Sequence, residues 1–323
     1  MKAARVHELG DADKLVYEEV PTPEPGPGQV LVKHEFIGVN FSVKYIRTGL
    51  YKQELPFTAG REAAGVVEAV GPDVTAFAPG DPVCYTGVLG AYADYAAVPA
   101  ARLIRRPEGV DAKLAATVLN QGMTAYYLIH QTYPFKAGET CLVHAGAGGV
   151  GQMLVQMGKL LGGTVIATVS TEEKARVARE AGADHVILYT RADFAEETLR
   201  LTGGQGVEVV FDTVVGTTFE GDLKALKPRG MLVVAGFSAG PPPPIDIRAL
   251  QPKALYLTRA GMHHYAATRE QLELLALSVL EMARDGRIRH RVFKVYPLSQ
   301  AAQAHAELEN RGTVGKLLLQ PGS

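Results

Sequence analysis

The sequence predicts an α/β protein, with a doubly wound parallel sheet in the middle of the chain and β-rich segments outside it. Three observations lead there. From Thr140 onward, strand-sized apolar runs alternate with amphipathic helical ones. A glycine-rich turn joins the first of those strands to the first of those helices. Up to about residue 120, glycine and proline punctuate short runs of alternating polarity.

In chain order, "QVLVKHEFIGV", "GVVEAVG" and "YADYAAV" read as short half-buried strands, joined by turns such as "PEPGPG" and "APGD". The middle then runs as strand "TCLVHAG", helix "GVGQMLVQMGKLLG", strand "TVIATVS", helix "EEKARVAREAG", strand "DHVILY", helix "ADFAEETLRLTGG", strand "VEVVFDTVV", helix "TFEGDLKALKPRG" and strand "MLVVAGF". That alternation signals a parallel sheet covered by helices on both faces. After the loop "SAGPPPPID" come a further strand, "ALYLTRAGM", and the helix "TREQLELLALSVLEMARDG". The tail returns to strand, helix, strand. Its strands resemble those of the first part, against which they are expected to pack.

Bulk properties exclude several classes. The 323 residues are 47% hydrophobic, ample for the cores of two domains, and the formal net charge is −1. Such a balance offers no electrostatic footprint for nucleic acid or an anionic membrane. The longest apolar runs are strand-sized and the "MKAARVHELGDADK" start has no apolar signal core, so a cytoplasmic protein is expected. Cys84 and Cys141 are the only cysteines, too few for a thiolate zinc site, and read as inert core thiols.

The strongest local signal is "HAGAGGVG". Gly146, Gly148 and Gly151 fit G-x-G-x-x-G after a strand, and Val150, Leu154, Met157 and Leu161 continue at helical spacing. Glycines there permit the tight turn and let a pyrophosphate approach backbone N–H groups at the positive end of a helix. Nineteen residues after Gly151 stands Ser170, where an NAD site carries an acid that would repel the extra phosphate of NADP. A hydroxyl at Ser170 and a cation at Lys174 instead suit that phosphate. The competing reading makes Ser170 and Glu173 a capping box and leaves Lys174 solvated.

The motifs "GVNFSVKYIRTGLY", "GREAAGVVEAVG", "GDPVCY", "GAYADYAAV", "GMTAYYLI", "HAGAGGVG", "FDTVVG" and "YLTRAGM" occur in order along nearly the whole chain. Together they resemble the zinc-free quinone oxidoreductases, the zeta-crystallin-like branch of the medium-chain dehydrogenase/reductase superfamily. The resemblance implies a GroES-like β-rich domain formed by residues 1–123 and 263–323, a Rossmann NADP-binding domain over 124–262, and a homodimer joined through the Rossmann sheets. Zinc-dependent relatives place a cysteine ligand where this chain has Asn40, and Gly-His-Glu where it has Gly60, Arg61 and Glu62. No metal is therefore expected.

Matched position by position, the resemblance sets Asn40 and Tyr45 as catalytic candidates and Phe41 beside the nicotinamide. It brings Tyr127 to the cofactor and Gly149 and Val150 to the pyrophosphate. Ser170, Lys174 and Tyr189 fall at the adenosine phosphate, and Thr213, Phe237, Ser238, Thr258 and Arg259 at the nicotinamide end. His263 and His264 are expected on an extended segment, pointing opposite ways in a surface or cap role. The reading is an NADPH-dependent reductase of a quinone-like acceptor, in which the cofactor carries the chemistry. Two rivals stand beside it: reduction of an activated C=C bond in an enone, and NADPH binding without turnover.

Overall fold

The computed structural model describes every residue except Pro243, Arg311 and Ser323, so one residue of the four-proline loop lies outside the described residues. The chain divides into two compact units: Met1–Asn120 with Ala266–Ser323, and Gln121–Tyr265. The sequence reading set the boundaries at 123/124 and 262/263.

The first unit opens with β1 (Lys2–Val6), β2 (Leu15–Glu19), β3 (Gln29–Gly38), α1 (Phe41–Arg47), β4 (Phe57–Thr58), β5 (Glu62–Val70), β6 (Pro82–Thr86), β7 (Tyr95–Pro99) and β8 (Ile104–Arg105). Helix α2 (Ala112–Tyr127) follows, and the unit boundary falls within it. The second unit carries β9 (Thr140–Val143), α3 (Gly149–Leu160), β10 (Thr164–Val169), α4 (Glu172–Glu180), β11 (His185–Leu188), α5 (Phe194–Leu201), β12 (Val207–Asp212), α6 (Phe219–Ala225), β13 (Leu226–Val234), β14 (Tyr256–Arg259) and α7 (Met262–Tyr265). The chain then returns to the first unit with α8 (Arg269–Arg284), β15 (Val292–Pro297), α9 (Ala301–Glu309) and β16 (Lys316–Gln320).

In the first unit the main sheet has the order β15-β16-β3-β5-β6-β8, with β7 also paired to β3. The tail strand β16 runs antiparallel to β3, with Leu318 opposite Gly38 and Leu319 opposite Ile37. This pairing returns the tail to the first part of the chain, as its composition suggested. The core gathers Val30, Val32, Ile37, Ala63, Val67, Val83, Tyr85, Leu317 and Leu319. All of Lys316–Leu319 is buried, because β16 is covered on both faces.

In the second unit six strands pair in parallel in the order β11-β10-β9-β12-β13-β14. The first strand, β9, lies between β10 and β12, so the winding reverses beside it. Ligands of such sheets bind outside the carboxyl ends of the strands at that switch point. The near-continuous apolar runs of β9 and β10 are buried, as a sheet covered on both faces requires. No helix among the described residues is long and apolar enough to cross a membrane.

Candidate functional site

The carboxyl ends of the second unit's strands hold most of the expected cofactor residues. After β9 the chain turns through Ala145, whose φ of 50° is left-handed, and enters α3 at Gly149 with Gly148 as its N-cap. Gly151 packs on this turn so closely that a Cβ there would lie 2.2 Å from the Ala145 carbonyl oxygen. Only glycine fits there, and at Gly149, the first residue of α3, a Cβ would run into the Gln121 side chain at 2.4 Å. At the end of β10, Lys174 Nζ lies 3.3 Å from Ser170 Oγ, and Thr190 Oγ1 donates to the Ser170 carbonyl at 3.1 Å. Tyr189 is exposed on the neighbouring segment.

One expectation here is corrected. The N-cap of α4 is Thr171, not Ser170: the Thr171 hydroxyl accepts from Lys174 N and the helix begins at Glu172. The proposed Ser170–Glu173 capping box does not form. Ser170 stands just outside the helix, with its side chain engaged by Lys174 rather than by the helix end.

At the far end of the sheet, Thr258 and Arg259 lie beside Val233 and Val234 in register, while Phe237 and Ser238 follow β13. Ser238 N donates to the Thr213 carbonyl at 3.0 Å, and the Arg259 guanidinium lies 4.6 Å from the Phe237 ring centre. The structure thus brings Thr213, Phe237, Ser238 and Arg259 together. Tyr127 is buried and stacks on Tyr265 at 4.4 Å with an interplanar angle of 13°. His263 and His264 are not on an extended segment. They sit in α7, both exposed, with ring centroids 3.9 Å apart.

Beneath these ends lies a buried network that sequence reasoning missed. His144, directly before the glycine turn, places Nδ1 2.8 Å from Thr168 Oγ1 and Nε2 2.7 Å from Asp222 Oδ1. Nearby, Asp212 accepts from Val214 N at 2.6 Å and Thr218 Oγ1 at 2.6 Å. Burial pushes the Asp222 carboxyl up to about 8, against the His144 charge and with the help of Asp212. Burial also opposes charge on His144, but Asp222 outweighs it and the imidazole is shifted upward. Both groups of the pair are thus shifted toward their protonated forms. Ligand atoms of His144, Asp212 and Asp222 lie within 4.8 Å of one another, yet His144 and Asp212 spend theirs on these hydrogen bonds.

The first unit supplies Asn40, Phe41 and Tyr45 from the start and middle of α1. Tyr45 is half-buried and meets Tyr51 edge-on at 5.5 Å. Asn40 is the N-cap residue of α1, but its side chain makes no cap hydrogen bond. Its amide is committed elsewhere: Nδ2 donates to Glu62 Oε2 at 2.8 Å, and Oδ1 accepts from Lys316 Nζ at 2.8 Å and Asn120 Nδ2 at 3.3 Å. Lys316 and Glu62 are fully buried and paired at 2.6 Å, and Glu62 Oε1 accepts from Asn120 N at 2.7 Å. Burial lowers the Lys316 pKa against the pull of Glu62. A lone lysine heading the apolar run "KLLLQ" was the signal that could have revealed this group. These residues do not fit a zinc ion, since a dication at Asn40 and Glu62 would sit against the buried Lys316 ammonium, and among the described residues Glu62 belongs to no gathered group of three His, Cys, Asp or Glu ligand atoms.

A doubly wound sheet with a glycine turn at its switch point, carried with a β-rich unit built from both chain ends, defines the class of two-unit dehydrogenases and reductases. Two family models match accordingly: the alcohol dehydrogenase GroES-like domain over residues 26–108 and the zinc-binding dehydrogenase over 149–277. The chain is 42% identical to a 2-haloacrylate reductase of Burkholderia sp over 329 residues, covering 99% of this chain and 98% of that protein. It is 42% identical to a quinone oxidoreductase of Pseudomonas aeruginosa over 315 residues, covering 97% of each. Among solved structures, the Escherichia coli quinone oxidoreductase complexed with NADPH superposes with a TM-score of 0.97 at 37% identity, over 99% of this chain and 100% of that one. The chain belongs to the quinone oxidoreductase family of the medium-chain dehydrogenases and reductases.

Proposed function

We propose that this chain is an NADPH:quinone oxidoreductase that works without zinc. The observation that carries the cofactor choice is the Lys174–Ser170 pair at 3.3 Å, at the strand end where an acid would exclude a phosphate. Ser170, Lys174 and the Tyr189 face receive the adenosine phosphate. The backbone at Gly149 and Val150 meets the pyrophosphate at the start of α3. Thr213, Phe237, Ser238, Thr258 and Arg259 hold the nicotinamide end, with Tyr127 and Phe41 beside the cofactor.

Bound NADPH supplies a hydride from C4 of its nicotinamide. A quinone spreads the incoming charge over its ring and both oxygens, so one or two hydrogen-bond donors suffice and no Lewis acid is needed. The Tyr45 hydroxyl takes that role, as oxyanion donor or proton source. Asn40 stays in the reading in a changed role, because its amide is already spent on Glu62, Lys316 and Asn120. It holds the start of α1 instead of donating to the acceptor.

Identity to a 2-haloacrylate reductase favours a second reading, in which the acceptor is an activated C=C bond. A panel of quinones, enones and unactivated ketones, followed by NADPH consumption, separates the two. Quinones are expected to react fastest; ketones outrunning every quinone and enone would overturn the reading, and no turnover at all would leave a binding protein. Lys174→Ala should weaken NADPH while leaving NADH unchanged. A charge-assisted hydrogen bond is worth about 1.5–3 kcal/mol, less at a partly exposed site, so a loss of about tenfold is expected. Equal losses for both cofactors would remove Lys174 from the phosphate site. Tyr45→Phe should lower turnover more than NADPH binding, and a Phe variant with full turnover would make Tyr45 a packing residue.

The reading includes a cytoplasmic location, which suits two free buried thiols, and a homodimer. The edge strand β14 exposes Tyr256, and Ile247 before it is 77% exposed, an apolar edge that a second copy would cover.

A further inference from the structure

Helix α1 has seven residues, too short to be stable by itself, so its position depends on what holds its two ends. At its C-terminal end the buried Arg47 donates to the Gly10 carbonyl and to Glu309, which also pairs with Lys44 at 3.2 Å. At its N-terminal end the Asn40 carbonyl accepts from Val43 N at 3.1 Å, but no side chain caps the helix. The anchor there is the Asn40 amide in the grip of Lys316 and Glu62.

Strand register builds that grip. Leu318 lies opposite Gly38, so continuing the antiparallel pairing by two residues sets Lys316 opposite Asn40, on the same face. Ala63 lies opposite Ile37, so Glu62 falls beside Gly38, where a Cβ would come within 2.0 Å of Glu62 Oε2. The bare Gly38 thus makes room for the carboxylate. Each Glu62 oxygen and the Asn40 oxygen is occupied, so the amide has one orientation and the start of α1 one position.

We propose that Lys316 is a positioning residue of the reductase. By donating to Asn40 Oδ1 while paired with Glu62, it fixes the start of α1 and thereby the Tyr45 hydroxyl five residues on. The proposal rests on the reading of Tyr45 as the donor to the acceptor. It concerns geometry at a distance from the reacting atoms, where a misplacement of about 1 Å can cost 10²-fold in rate.

The test compares the full-length wild type with Lys316→Met and with the double variant Glu62→Gln/Lys316→Met. It measures thermal unfolding, kcat and KM for a simple benzoquinone at saturating NADPH, NADPH affinity, and amide hydrogen exchange over residues 40–47. Lys316→Met is expected to lose stability and to lower kcat by about tenfold or more, with NADPH affinity kept within about twofold and exchange in α1 raised. The double variant removes the unpaired carboxylate, so it should recover stability while kcat stays low and α1 stays unprotected. If kcat and protection recover together with stability, Lys316 serves only the fold and the proposal is wrong. Should the single variant not fold, the double variant alone decides in the same way. A wild type that reduces neither benzoquinone nor an enone defeats the functional reading, whereas unchanged exchange over α1 defeats the positioning role.

Discussion

Each unit of this chain hides a polar network beneath residues assigned to cofactor or acceptor, and the two are built on opposite principles. In the first unit, Lys316 and Glu62 form a fully buried ion pair whose carboxylate oxygens both accept hydrogen bonds. In the second, His144 and Asp222 are hydrogen-bonded and both shifted toward their protonated forms, and Asp222 Oδ2 is buried with no hydrogen-bond partner among the described residues. Removing one member of the ion pair leaves its partner to shed a charge whose ordinary pKa lies far from neutral pH. Asp222, already pushed up to about 8, has its neutral form close at hand. The comparison teaches that burial alone does not set the cost of disturbing a polar group; how far its neutral state lies from the ambient pH does.

The largest effect that would break this contrast is expected at Glu62. Glu62→Leu leaves the Lys316 ammonium buried and unpaired, and breaking such a pair costs about 3–5 kcal/mol. Urea unfolding measures it. His144→Phe should cost less, about 1–3 kcal/mol, because Asp222 then takes up a proton instead of remaining a bare anion. Equal losses from the two substitutions would erase the distinction drawn between the networks.

Smaller and more diagnostic is the response to pH. Both members of the His144–Asp222 pair are shifted upward, Asp222 to about 8, so the folded chain keeps a proton that the unfolded chain releases near the usual histidine value of about 6.5. This contribution is fully present below that pH and is lost as pH rises through the folded value, with a slope of at most about 1.4 kcal/mol per pH unit for one proton. Asp222→Asn should flatten the alkaline side of the Tm profile; an unchanged slope would mean that the pair does not hold the proton.

The first unit carries the opposite sign. His34 is buried and neutral, with Nδ1 2.7 Å from the Ala93 carbonyl and Nε2 2.9 Å from the Tyr85 hydroxyl, and burial lowers its pKa to about 4. As pH falls from about 6.5 towards that value, the unfolded chain gains a proton that the folded chain refuses, so stability is lost on the acid side. His34→Gln should flatten that acid limb and leave the alkaline limb alone.

Much of this was legible in the sequence because it is local. The alternation of apolar runs with helical ones predicted the doubly wound sheet, since side-chain periodicity reports which faces are buried. The glycine turn and the four-residue spacing of Ser170 and Lys174 were readable for the same reason. The cap of α4 was misread by one residue, because whether Ser170 or Thr171 turns its hydroxyl to the helix end depends on backbone angles that residue types do not specify.

What only the tertiary structure decided are the pairs formed at long range. Lys316 meets Asn40 across 276 residues, and His144 meets Asp222 across 78. No periodicity extends over such separations. The first contact exists because β16 pairs with β3 in one register, and a slip of a single residue would turn Lys316 to the opposite face of the sheet. The sequence alone determined the alternation of strands and helices through the middle of the chain and the place of the glycine turn, although it carried the helix before β13 five residues too far and left α7 as an extended segment. Strand register, set by packing of the whole core, decided which buried charge answers which and so where α1 presents Tyr45.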